Sequence, residues 1–133
     1  MRLKERLELV GACVVVPLAL ELMSAARVLD RIARVRDARG PRVPPHTLAG
    51  RVDRTLDRLP GLWHRTCLRR AAVLAVLLRR HGHRAQVVIG VRRDETGELQ
   101  AHAWLRCDGQ EPYLEPEDTA GFVPLRPAAH GST

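Results

Sequence analysis

The chain has 133 residues, 45% of them hydrophobic, which is enough to bury the core of one globular domain. A formal net charge of +7 suits an acidic peptide or an acidic membrane surface as well as nucleic acid. Aromatic residues make up only 3% of the chain and leave few rings to stack on bases, so the composition argues against a nucleic-acid-binding function.

The cysteines and the apolar N-terminal stretch indicate a cytoplasmic protein. Cys13, Cys67 and Cys107 are an odd number without a CxxC pair, which favours neither a zinc site nor a disulfide framework. Residues 9–23 are apolar, but shorter than the roughly 20 residues that span a bilayer, and they resemble no complete signal peptide. We predict a buried helix there, kinked or begun near Pro17, with membrane contact as the lesser alternative.

Residues 1–59 show the three- and four-residue spacing of apolar side chains that is typical of helices. We predict that they form an N-terminal helical region belonging to the same domain as the rest. A proline-rich loop over 38–46 interrupts this region. A helix over 47–60 follows, with Thr47 as its N-cap and Pro60 as its end. Its apolar face consists of Leu48, Val52, Leu56 and Leu59.

The pattern changes over residues 60–133. Residues 67–81 are apolar almost all round, which predicts a central buried helix. This helix begins at Cys67, and Gly82 stands where a C′ glycine ends a helix. A helix N-terminus favours negative charge, so a cysteine there is a candidate nucleophile.

Three short strands are predicted after this helix, in an antiparallel meander. They cover 84–91, 100–107 and 110–115, with turns at 94–97 and 108–109. On the second strand, alternation puts His102, Trp104 and Arg106 on one face and Cys107 on the other.

The hairpin register selects a partner for His102. If Asp108 and Gly109 form a two-residue turn, Glu115 lies opposite His102, where Cβ atoms are about 4.5–5.5 Å apart. A carboxylate at that position accepts the imidazole N–H, fixes the tautomer and stabilises the imidazolium. Pro112 limits the third strand to the edge of the sheet.

Five pieces of this region resemble a known superfamily. They are "CL-R", the helix ending "LLRRHG", "A-VVIGV", "AHAW" and "DG", together covering about residues 56–115. They resemble the transglutaminase-like, papain-fold superfamily, and within it the leader peptidases of lasso-peptide biosynthesis. The resemblance implies an α+β fold in which the helix bearing the cysteine packs on an antiparallel sheet bearing the histidine. This catalytic core covers 60–133 and follows the N-terminal helices.

By this resemblance, Cys67 is the nucleophile and His102 the base of a Cys-His-acid triad. The family's acid is usually an aspartate about a dozen residues after the histidine. Glu115 is the nearest carboxylate in this chain, and Asp118 is the alternative if its loop folds back. The implied chemistry needs no metal and no cofactor.

The implied function is removal of the leader from a ribosomally made lasso-peptide precursor. Such enzymes act with a separate small leader-recognition protein and usually with an ATP-dependent ring-closing enzyme, the lasso cyclase. The N-terminal helices either provide a docking surface for the recognition protein or only cover the core. Two alternatives stay open: another cysteine acyl-transfer enzyme, such as an amidase or transglutaminase, and a non-catalytic peptide-binding module.

The remaining histidines, cysteines and tryptophans have no such context. We predict solvated side chains for His64, His81, His83 and His130. Cys13 and Cys107 are assigned to packing. Trp104 shields the imidazole or packs in the core, and Trp63 belongs to the core or lines the cleft.

Overall fold

The computed structural model describes residues 3–35, 43–59 and 66–125, which form an α+β fold as predicted. The helices in these ranges are α1 (Leu3–Leu22), α2 (Ala25–Ile32), α3 (Pro45–Arg58) and α4 (Cys67–Arg80). The strands are β1 (Ala85–Arg93), β2 (Leu99–Cys107) and β3 (Val123–Pro124). None of these helices is both long enough and apolar enough to cross a membrane.

Helix α1 continues through Pro17 and does not begin there. It is apolar on all sides from Leu9 to Leu20, and its inner side, which includes Cys13, packs into the core. The outer side leaves large apolar side chains exposed, namely those of Leu3, Leu7, Val10, Val15 and Leu18. The burial predicted for 9–23 therefore holds for one side of the helix only.

Helix α3 begins earlier than predicted. Pro44 is its N-cap residue, and Pro45 lies in the first turn, where a missing N–H costs no helical hydrogen bond. The prediction of Thr47 as N-cap is therefore wrong. The predicted apolar face is buried at Leu48, Val52 and Leu56 and half-buried at Leu59. Most of the predicted proline-rich loop, and Pro60, lie outside the described residues.

Helix α4 begins at Cys67 and is the centre of the core. Thr66 is its N-cap, and the Thr66 Oγ1 accepts a hydrogen bond from the backbone N–H of Arg69 at 3.2 Å. The segment from Ala71 to Leu78 is buried apart from the half-buried Val76, because α1, α3, β1 and β2 all pack around it. Gly82 follows the C-cap with a φ of +87°, as predicted for a C′ glycine.

The sheet has the order β2-β1-β3, so β1 is its central strand. Strands β1 and β2 pair antiparallel, with Gly90 opposite His102. The two-residue turn after β2 forms as predicted, and Cys107 bridges to Gln110. β3 pairs with the other edge of β1, so the predicted meander order is wrong.

The predicted third strand over 110–115 does not form. Pro112 and Pro116 have no N–H to donate, so the chain leaves the ladder after the bridge at Gln110. The backbone N–H of Tyr113 donates to the carbonyl of Leu105 at 2.9 Å, whereas the predicted ladder put Tyr113 opposite Trp104. The segment is a loop that folds back along β2.

Both faces of β2 are covered. Ala103, Leu105 and Cys107 belong to the core against α4 on one face. His102 and Trp104 are buried on the other, where the ring of Phe122 lies against both. Gly90 is needed at this position, because a Cβ there would clash with the indole of Trp104.

Candidate active site

Cys67 is the first residue of α4 and is half-buried. The first backbone N–H groups of a helix have no acceptor within the helix, and together they carry the positive end of its dipole. The Thr66 Oγ1 accepts the backbone N–H of Arg69. The backbone N–H groups of Cys67 and Leu68, in the same turn, are therefore left to donate to other acceptors. The Cys67 sulfur therefore lies where negative charge is favoured.

His102 and Glu115 form a buried pair. The His102 Nε2 donates to the Glu115 Oε2 at 2.8 Å, and their side chains are only 8% and 5% exposed. Because a carboxylate only accepts, this bond puts the hydrogen on Nε2 and leaves a lone pair on Nδ1. The predicted contact thus exists, although a loop brings Glu115 to His102 and the predicted strand does not.

Cys67 and His102 border the same cleft. It has a volume of about 140 Å³ and is also lined by Thr66, Arg70, Glu115 and Glu117. The three predicted triad residues, which lie on α4, on β2 and in the following loop, thus meet at one cleft.

Two further carboxylates lie near the imidazole. The Glu117 Oε2 is 3.8 Å from the His102 Nδ1, and the Glu117 side chain is 70% exposed. The Asp118 Oδ1 accepts the backbone N–H of Ala120 at 2.9 Å, and Asp118 lines a second cleft beside His102. Glu115, not the alternative Asp118, is the hydrogen-bonded partner of His102. Nothing in the predicted ladder pointed to Glu117, because the strand that was to carry the carboxylates does not form.

Aromatic rings cover the imidazole. The centroid of Phe122 lies 5.5 Å from that of His102, and the centroid of Trp104 lies 6.0 Å from it. The Arg92 guanidinium stacks over Phe122 at 4.3 Å from the ring centroid. Trp104 therefore shields the imidazole, one of its two predicted roles. The sequence-based prediction did not include Phe122 among the residues around the imidazole. It is the single phenylalanine of a chain poor in aromatic residues, and this rarity could have indicated a specific role.

Glu111 ties the start of the loop to β2. Its carboxylate accepts from the Trp104 Nε1 at 2.8 Å and from the Arg106 Nε at 2.7 Å. Burial alone would raise the pKa of Glu111, but these two hydrogen bonds and the Arg106 charge hold it below its usual value. The loop that carries Glu115 is thus fixed at neutral pH by an ionised side chain.

Metal-ligating atoms also meet beside the cleft. His102, Glu115 and Glu117 each offer one such atom, and these atoms lie within 4.8 Å of one another. The His102 Nε2 and the Glu115 carboxylate already satisfy each other, so a metal ion would have to compete with that hydrogen bond. The His102 Nδ1 is not part of that bond and lies 3.8 Å from the Glu117 Oε2, so a metal ion could meet these two atoms without breaking it.

The other cysteines are packed in the core, as predicted. Cys13 and Cys107 are fully buried. Burial raises the pKa of Cys13 to about 12. Burial, with the neighbouring Asp108 charge, raises the pKa of Cys107 to about 11. Both thiols are therefore protonated and inert at neutral pH.

The prediction that His81 is solvated is wrong. His81 is buried at the end of α4, and its Nε2 donates to the Glu8 Oε1 at 2.9 Å. The prediction is also wrong for His83, which is half-buried with its Nδ1 3.8 Å from the Asp108 carboxylate. His64, His130 and Trp63 lie outside the described residues.

The sequence matches a known protein family over most of its length. Residues 12–126 match the family described as the transglutaminase-like superfamily. No curated protein and no solved structure matches the chain. The matched segment includes most of α1 together with α4, the sheet and the loop that carries Glu115. The chain belongs to the transglutaminase-like superfamily.

Proposed function

We propose that this protein is a cysteine peptidase that removes the leader from a ribosomally synthesised lasso-peptide precursor, together with a separate recognition protein. The observation that carries the proposal is the hydrogen bond of 2.8 Å between His102 and Glu115 at the cleft that Cys67 borders. It supplies an oriented base beside a thiol at a helix N-terminus, which is the arrangement that covalent acyl transfer needs.

The chemistry begins with proton transfer. The His102 Nδ1 accepts the Cys67 proton, and the Glu115 carboxylate stabilises the resulting imidazolium through Nε2. The thiolate attacks the scissile carbonyl and forms a tetrahedral intermediate. This intermediate collapses to a thioester as the imidazolium gives its proton to the departing amine. A water molecule, deprotonated by His102, then hydrolyses the thioester, releases the leader with a free carboxylate and regenerates the thiol.

The N-terminus of α4 supplies electrostatic stabilisation. The backbone N–H of Cys67 lies in the first turn, so it is a natural donor to the oxyanion of the tetrahedral intermediate. The rings of Trp104 and Phe122 keep water from the imidazole and strengthen its bond to Glu115. Since the three cysteines are free and none needs an oxidising compartment, we place the reaction in the cytoplasm.

The outer side of α1 is the proposed docking surface for the recognition protein. Leu7 is 65% exposed there, next to the exposed Lys4 and Arg6. Contiguous apolar side chains in water are typical of interaction surfaces, and the surrounding basic charge suits a partner rimmed with carboxylates. An ATP-dependent lasso cyclase would act on the released core peptide.

The docking proposal is tested with a matched pair of surface variants. Leu7→Ser should weaken binding of the recognition protein about tenfold or more in calorimetry, because it removes a central apolar contact. Leu99→Ser, at a leucine that is 63% exposed at the start of β2, should bind like the wild type. Equal affinity of the wild type and Leu7→Ser would contradict the proposed surface.

The function is tested by incubating the protein with candidate precursor peptides and their recognition protein, with mass spectrometry as the readout. A single cleavage that requires Cys67 supports the proposal. The amidase and transglutaminase alternative is examined in the same reaction with an added primary amine. A leader that ends in an amide of that amine, in place of a carboxylate, would favour the transferase. Peptide binding without any covalent change would favour the non-catalytic module.

A further inference from the structure

Arg70 joins three parts of the molecule one turn after Cys67 on α4. Its Nε donates to the Asp53 Oδ1 on α3 at 2.7 Å, and its Nη2 donates to the carbonyl of Leu114 at 2.9 Å. The side chain is only 8% exposed, so its charge has been largely removed from water. Such burial is costly unless a counter-charge balances it, and Asp53 supplies that charge.

The backbone at Leu114 is held in an unusual conformation. Its φ is +53°, in the left-handed region that is unfavourable for a residue with a bulky side chain. A conformation of this kind persists only where the surrounding structure holds it, and such positions cluster at functional sites. The Arg70 guanidinium binds the carbonyl of this residue, and the next residue along the chain is Glu115.

We infer that Arg70 is a positioning residue, which holds the Leu114 carbonyl so that the Glu115 carboxylate meets the His102 Nε2. The inference rests on the proposed chemistry of Cys67 and His102. Cys67 and Arg70 are three residues apart and lie on the same side of α4. Helix α4 thus carries both Cys67 and Arg70, the residue that fixes the position of Glu115. The positions of the nucleophile and the acid are therefore set by the same helix.

A plain ion pair between α3 and α4 would behave differently. An ion pair alone predicts that Arg70 variants lose stability and keep the reactivity of Cys67. A positioning role predicts that they lose reactivity through Glu115. The readout is the rate at which iodoacetamide alkylates Cys67, followed by mass spectrometry from mildly acidic to mildly alkaline pH. This measurement needs no substrate, and a thermal melt measures stability in parallel.

Arg70→Lys keeps the positive charge but cannot reach both Asp53 and the Leu114 carbonyl with a planar fork. We expect it to slow alkylation at neutral pH about tenfold, the size of one lost charge-assisted hydrogen bond. Its pH profile should move in the same direction as that of Glu115→Gln. The double variant should be no slower than Glu115→Gln alone, because both changes remove one function.

The matched control is Arg79→Lys. Arg79 lies on the same helix and also donates to backbone carbonyls, those of Ala85 and Ala33, far from the cleft. Its alkylation profile should equal that of the wild type. If Arg70→Lys does not fold, Asp53→Ala provides the same test, because it removes the acceptor that orients the guanidinium.

Two results would overturn the inference: an Arg70→Lys protein that melts earlier but keeps the wild-type alkylation profile, and effects of Arg70→Lys and Glu115→Gln that multiply. The proposed function fails separately, if His102→Ala leaves Cys67 alkylation unchanged. Slow alkylation in His102→Ala with normal alkylation in Arg70→Lys would remove only the positioning role.

Discussion

Two buried histidine–glutamate pairs of nearly equal length occur among the residues that the structure describes. The His81 Nε2 lies 2.9 Å from the Glu8 carboxylate, and the His102 Nε2 lies 2.8 Å from that of Glu115. The imidazoles are 10% and 8% exposed. Neither distance nor burial distinguishes the two pairs.

The second ring nitrogen distinguishes them. The His81 Nδ1 accepts the backbone N–H of Val43 at 3.4 Å, and the partner Glu8 also binds Arg80 at 2.8 Å. Both nitrogens of His81 therefore join parts of the fold. The His102 Nδ1 makes no hydrogen bond to any residue within 3–35, 43–59 or 66–125, and its ring borders the cleft of Cys67.

A buried histidine–glutamate pair is therefore not by itself a sign of catalysis. Such a pair satisfies two polar groups that would otherwise be costly to bury, and His81 does only that. What makes His102 a candidate base is a ring nitrogen without a hydrogen bond to the described residues, on a ring that borders the same cleft as Cys67.

The largest loss of activity is expected when the His102 imidazole or the Cys67 thiol is removed. Cys67→Ala and His102→Ala should each lower kcat at least about 10³-fold, and the double variant should be scarcely worse, since the residues act as a unit. His81→Ala should instead lower the free energy of unfolding by about 1–3 kcal/mol and keep the kcat of the folded protein. Precursor cleavage and chemical denaturation measure the two quantities. Near-normal turnover in His102→Ala would show that His102 is not the base of the reaction.

A smaller loss of rate is expected at the acids. Glu115→Gln keeps the shape but favours the wrong tautomer, so kcat should fall by about 10²–10³-fold. Glu115→Asp shortens the reach by a methylene and should retain partial activity. Glu8→Gln, the matched change in the other pair, should cost about 1–2 kcal/mol of stability and no kcat. If Glu8→Gln lowered kcat as much as Glu115→Gln, the distinction between the pairs would fail.

The three cysteine thiols should differ in their rates of alkylation. Iodoacetamide at neutral pH should label Cys67 at least about 100-fold faster than Cys13 and Cys107, because only a thiolate reacts. The pKa of Cys107 is raised to about 11 and that of Cys13 to about 12, so their thiolate fractions stay negligible until the pH approaches those values. Their labelling should therefore increase only at strongly alkaline pH. Peptide mapping measures all three sites, and faster labelling of Cys13 in the folded protein would contradict the burial.

The smallest effect is expected beyond Glu115. Asp118→Asn should change kcat less than about threefold, because Asp118 bonds the backbone of Ala120 and not the imidazole. Glu117→Gln should have a similarly small effect, since its carboxylate is largely exposed to solvent. A silent Glu115→Gln combined with an inactive Asp118→Asn would mean that the loop closes differently over the site.

Local chemistry made part of this site predictable from the sequence. Cys67 at a helix start, the end of that helix at Gly82 and the tight turn after β2 follow from capping and turn preferences. The pairing of His102 with Glu115 was predicted from an assumed ladder. The contact exists, but a loop turned at Leu114 makes it, so the reason given for it was wrong.

Other parts of the structure could not be predicted, because they depend on contacts between residues that are far apart in the sequence. Nothing near His81 in the sequence predicts its burial, because its partner Glu8 lies 73 residues away. The loop after β2 was assigned to a strand because Pro112 was treated as an edge residue and not as the end of pairing. β3 is only two residues long and has no pattern that periodicity can detect.

The ring of Trp104 lies across Gly90, 6.0 Å from the imidazole of His102. An imidazolium quenches indole fluorescence at this range more strongly than neutral imidazole does. The fluorescence of Trp104 should therefore change when His102 gains or loses a proton. Only one other tryptophan, Trp63, contributes background, and a Trp63→Phe protein would emit from Trp104 alone. A titration of that emission would follow the protonation of His102 in solution, without substrate, partner or label.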